Sequence, residues 1–100
     1  MITHIKLDKS EQDKKKFVAT FYDQDKKKVK TTHFGSAGMS DYTINKDDAR
    51  KELYLNRHKA RENWNDFTSA GALSRWVLWN KKTLQLSLKD YMRKFNLKKY

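Results

Sequence analysis

The first third of the chain alternates apolar and polar positions with a period of two, the pattern of strands that bury one face. In ITHIKL, Ile5 and Leu7 fall on one side; in KFVATFY, Phe17, Ala19 and Phe21 stand opposite Val18, Thr20 and Tyr22. The polar stretch DQDK reads as a turn, after which KKVKTTHF returns with the same period and many β-branched residues. These runs predict an antiparallel hairpin or meander of two or three strands, with DKSEQDKKK as an exposed loop.

After HFGSAGMSDYT the period lengthens. Asn45 predicts an N-cap for a helix starting at Lys46, with Asp47 and Asp48 in the first turn, where the helix dipole favours negative charge. Ala49, Leu53, Ala60 and Trp64 fit one buried stripe, and Arg50, Arg57 and Arg61 lie along another face, before NWND ends the segment. Thr68 or Ser69 opens a second helix through AGALSRWVLW, apolar nearly all round and therefore central. Thr83 opens a third, with Leu84, Leu88, Tyr91, Met92 and Phe95 at helical spacing. The predicted class is α+β: a small N-terminal antiparallel β-hairpin or meander followed by three helices, forming one domain over residues 1–100.

Charge changes this picture more than composition does. The chain carries 23 Lys and Arg against 12 Asp and Glu, a net +11. The excess is uneven: residues 1–34 carry +4, residues 35–66 none, and residues 67–100 +7. A field of that size attracts polyanions, first nucleic acid, then acidic protein surfaces, then anionic lipid. The 13 aromatic residues argue against disorder despite the charge. Cysteine is absent, which excludes disulfides, thiolate zinc sites and a cysteine nucleophile and fits a reducing compartment. No apolar run reaches membrane-spanning length, so no membrane partner is expected.

The candidate chemistry is sparse. Gly35 and Gly38 bracket GSAG, which resembles the G-x-x-G loop that holds a nucleic-acid backbone in KH domains. That loop joins two helices, whereas this one follows a strand, and a turn needing positive φ explains the pair more simply. His4, His33 and His58 lack metal-ligand spacing. Asp41, Asp47 and Asp48 are the only clustered carboxylates that suggest magnesium, and the last two sit where helix capping wants them. No metal, cofactor or enzymatic activity is expected. Trp64, Trp76 and Trp79 are either core residues or base-stacking platforms; Trp76 and Trp79, three apart, are expected to share a helix face, with Trp76 mostly buried.

The blocks FGSAGMSDYTINKDDARKELYLNRHKARENWND and AGALSRWVLWNK, with the leucine-rich segment that follows, resemble small basic proteins of nucleocytoplasmic large DNA viruses, phycodnavirus- and mimivirus-like, from about Lys16 to Leu97. Members of that group often have proline where Lys82 stands here. The resemblance implies a viral origin, a virion or host cytoplasmic or nuclear location, and a genome-associated role; it brings no catalytic or binding residues with it. Charge therefore carries the functional expectation: sequence-nonspecific nucleic-acid binding, DNA rather than RNA, that neutralises or packages a genome by phosphate contact. The expected contacts are Arg57, Lys59, Arg61, Arg75, Lys81, Lys82, Arg93 and Lys94, with Lys27, Lys28 and Lys30 on the hairpin in support. The alternative is a minor capsid or internal virion module that docks on acidic protein surfaces. Self-association and other virion partners stay open.

Overall fold

The structure, a computed structural model, describes residues 1–100. Three strands, β1 (Ile2–Lys9), β2 (Lys15–Asp23) and β3 (Lys28–Ser36), form an antiparallel meander. The alternation sets their register: Ile5 pairs with Phe21, Leu7 with Ala19, and Phe17 with Phe34. Each of these apolar side chains therefore reaches the same face, and Ile5, Ala19, Phe21 and Phe34 are buried there. A register shift opposite Phe21 and Tyr22 leaves Val29 as a bulge on the exposed hairpin.

The expectation of a hairpin or meander followed by three helices is corrected at two places. First, the sheet has four strands in the order β3-β2-β1-β4, because β4 (Lys98–Lys99) returns to lie parallel to β1. Tyr100 N donates to Ile5 O at 3.0 Å. Lys98 and Lys99 show no alternating apolar pattern; the strand is set by its neighbour and by Leu97, which is buried in the core just before it. Second, the helical part is four short helices: α1 (Tyr42–Asn45), α2 (Asp48–His58), α3 (Ala70–Leu73) and α4 (Leu84–Lys94). A π-helical turn, Ser74–Leu78, continues α3 and closes with Trp79 N donating to Ser74 O.

Capping explains the helix boundaries. Asp41, Asp47, Ser69 and Thr83 each accept backbone N–H bonds at the start of α1, α2, α3 and α4. Asn45, the expected cap of α2, instead accepts from Asp47 N at 2.8 Å. Lys46 is left-handed at φ 52, so the chain is broken there into two helices. Helix α2 also stops at His58, and the expected stripe of Ala49, Leu53, Ala60 and Trp64 does not form: no α2 residue is buried. The sheet face is already covered by Leu73, Val77, Leu78 and Tyr91 from α3, the π turn and α4.

Both Gly35 and Gly38 have positive φ, 78 and 83. The amides of the turn they frame are taken up within the chain: Met39 N donates to Ser36 O, and Ala37 N donates to Lys14 O in the loop before β2. Alanine at Gly38 meets nothing within 4 Å and is expected to lower stability by ~1 kcal/mol through backbone strain alone. At Gly35 a Cβ would stand 2.9 Å from Leu78 Cδ1 and 3.2 Å from Lys16 Cβ. There the loss is expected to reach about 2–3 kcal/mol, because strain and overpacking add. Urea midpoints of G35A and G38A compare the two; equal losses would mean that the close approach to Leu78 contributes nothing.

Candidate nucleic-acid interface

Because no α2 side chain is fully buried, the helix stands off the core on a few specific supports. Tyr54 stacks on Trp79 with ring centroids 4.4 Å apart and planes at 5°. Lys51 Nζ donates to Asn80 O at 2.7 Å and lies over the Tyr42 ring. The Tyr42 hydroxyl donates to Asp48. Between α2, the end of β3 and the start of α3 a groove of about 400 Å³ remains. Its walls include Lys15, Lys16, Gly35 and Ser36 on the sheet side, Arg50, Leu53, Tyr54, Arg57 and His58 on α2, and Gly71, Ser74 and Trp79 beneath.

The groove is electropositive. Its two carboxylates are both engaged: Asp41 with Lys16 Nζ at 2.6 Å, and Glu62 with His58 Nδ1 at 3.4 Å. Lys15, Arg50 and Arg57 line it with no carboxylate within 4 Å. Gly71 is what lets Glu62 settle there, since a Cβ at position 71 would fall 1.4 Å from Glu62 Oε2. Burial, reinforced by the Glu62 charge, pushes the Tyr54 hydroxyl up to about 12, so it stays a neutral donor. Burial also lowers Lys51, as do the charges of Arg75 and Lys81 close by.

The family comparison covers this region. Residues 5–58 match the model of a family of unknown function, DUF5754. The chain belongs to that family. No curated protein and no solved structure matches it. The DUF5754 segment runs from β1 through α2 and so contributes the sheet-side wall and the α2 wall of the groove, whereas Glu62, Gly71, Ser74 and Trp79 lie beyond it.

Among the expected contacts, the DUF5754 segment holds Arg57 in the groove and Lys27, Lys28 and Lys30 on the hairpin. Lys30 Nζ donates to Thr68 Oγ1 at 3.0 Å. Lys59 and Arg61 are exposed just past the end of α2. Lys81 and Lys82 are exposed in the loop before α4. Arg93 is paired with Asp90 at 2.6 Å, and Asn80 Nδ2 donates to the same carboxylate at 2.8 Å. These bonds, Asn80's first, hold Asp90 below its ordinary range.

Arg75 is the least available of them. Its guanidinium lies over the Trp76 ring at 4.2 Å and the Trp64 ring at 5.4 Å, and Nη1 donates to Trp79 O at 2.8 Å. Its Nε is buried with no partner, as is Trp64 Nε1. Trp76 is only partly buried: Nε1 donates to Trp64 O, its edge meets Phe95, and Lys94 Nζ lies 4.4 Å from its centroid. Trp76 and Trp79 do not share a face, because the π turn carries Trp76 toward Phe95 and Trp79 toward Tyr54. Asp41, Asp47 and Asp48 are separated into caps and the Tyr42 bond.

Sequence reasoning missed Lys15 and Lys16 in the groove, and it placed Arg50 only on one helix face with Arg57 and Arg61. The signal for the side of α2 that lines the groove was present in Tyr54 and His58, an i,i+4 ring pair stacked at 4.3 Å.

Proposed function

We propose that the protein binds nucleic acid without sequence preference, its charge serving to neutralise or package a viral DNA genome; the sequence resemblance implies only the viral, genome-associated setting. What supports the reading is uncompensated charge. Of the 23 Lys and Arg, three have a carboxylate within 4 Å: Lys6 with Asp8, Lys16 with Asp41, and Arg93 with Asp90. The remaining cations depend on solvent, backbone oxygens or aromatic faces, and binding a polyphosphate releases the counterions condensed on it.

The test is affinity against salt for unrelated DNA sequences. For roughly five phosphate contacts, log K is expected to fall against log salt with a slope of about −4 to −5. Lys59, Lys81 and Lys82 are exposed and unpaired, so K59Q/K81Q/K82Q removes charge without touching the core. That variant is expected to flatten the slope by up to about 3 units. Arg75 is left in place because its guanidinium packs between two tryptophans. A globular control of equal net charge is run beside it. Binding indistinguishable from that control would favour docking on acidic protein surfaces, a reading supported by Met39 (64% exposed) and Leu53 (57%) at the rim of the groove.

A further inference from the structure

The groove beside α2 differs in kind from the basic surfaces around it, and we infer that it receives one unstacked nucleotide of a single strand. This rests on the nucleic-acid reading and narrows it to a place and a substrate form. A concavity of about 400 Å³ matches a nucleotide-sized ligand, whereas a duplex presents its phosphates on a convex cylinder that the groove cannot enclose. Arg50 and Arg57 are seven residues apart on α2, on one face and separated by about 10.5 Å along the axis. Lys15 stands across from them, so the lining offers cations on two sides of the opening.

The interior is suited to a base. Tyr54 is held between Trp79 and His58, giving a three-ring stack whose outer member, His58, lines the groove. Leu53 and Met39 leave apolar surface at the rim, and Ser36, Ser40 and Ser74 provide hydroxyls within. Base stacking of this sort tolerates any sequence, which agrees with nonspecific binding. Glu62 is the informative member. Its carboxylate occupies the electropositive groove next to His58 and over Gly71, where it competes with any incoming phosphate.

The deciding experiment measures fluorescence anisotropy of a labelled ten-residue oligothymidylate and of a mixed-sequence duplex at one salt concentration. Wild type is compared with R50Q/R57Q, with K81Q/K82Q, which removes the same charge outside the groove, and with E62Q. R50Q/R57Q is expected to weaken single-strand binding by at least about tenfold, from loss of charge-assisted hydrogen bonds. Its effect on the duplex should be no larger than that of K81Q/K82Q. E62Q should tighten single-strand binding several-fold and leave the duplex nearly unchanged. If the two double variants weaken both ligands equally and E62Q changes neither selectively, the groove inference is overturned while general nucleic-acid binding stands. If wild type binds neither ligand beyond an equally charged control, both readings fall.

Discussion

Replacing Tyr91 by alanine is expected to lower unfolding free energy by about 3–5 kcal/mol, a large share of what a domain this size possesses. Tyr91 is fully buried in the cluster with Phe21, Phe34, Leu73 and Val77, and its ring meets Phe95 edge-on at 5.2 Å. Its hydroxyl donates to Phe67 O at 2.6 Å, tying α4 to the segment that leads into α3. Phenylalanine keeps the ring and removes only that bond, so Y91F is expected to lose about 1–3 kcal/mol by leaving a carbonyl unpaired. Burial raises the Tyr91 hydroxyl above its ordinary value near 10. The folded chain therefore keeps a proton that the unfolded chain releases, and this group's contribution to stability is constant below pH 10 and is lost as pH rises beyond it. Urea denaturation of wild type and Y91F across that range should show a shallower decline in Y91F. A Y91A loss below about 1 kcal/mol would place the ring outside the core.

Asp41 should be nearly as sensitive, for a different reason. Its side chain is 3% exposed and that of its partner Lys16 is 13% exposed, with 2.6 Å between the charges. Asp41 also caps α1 by accepting from Thr43 N at 2.9 Å. D41A removes the cap and strands a buried ammonium, which together are expected to cost about 3–5 kcal/mol. K16M/D41A leaves no unpaired charge and should be more stable than D41A alone. Equal stability of the two in chemical denaturation would mean that Lys16 reaches water without its partner. Because Asp41 and Lys16 both line the groove, D41A should also loosen its sheet-side wall.

The strands were legible because their side-chain alternation is a local property and the buried face needs only the pleat to be defined. Phe17, Ala19 and Phe21 read correctly from seven letters. Thr83 read correctly as a cap, and Ser69 as one of two candidates beside Thr68, because a hydroxyl before an apolar periodic run has few other uses. Strand β4 was not legible: Lys98 and Lys99 have no strand-like pattern, and their conformation is dictated by Ile5, far away in sequence. The stripe assigned to α2 failed because helical periodicity shows which residues align and not whether the core has room for them. The site divided along the same line. Arg57 was singled out by charge, but the groove it lines depends on a gap between elements that no local pattern encodes. Arg75 looked like a free cation because its aromatic neighbours are recognisable only once Trp64 and Trp76 are brought together.

The π turn at Ser74–Leu78 fixes the length of this segment. A turn closed from residue 79 to residue 74 holds one residue more than an α-helical turn and equals a single-residue insertion in an otherwise regular helix. Deleting any one residue between 74 and 78 would let ordinary helix form, and everything after it would rotate by about 100°. Val77 and Leu78 could not both stay in the core while Trp79 meets Tyr54 and Asn80 meets Lys51 and Asp90. The stretch is therefore sensitive to length as well as to side-chain identity at Val77 and Leu78: an in-frame deletion here would separate the core from the support of α2 and remove the groove along with it.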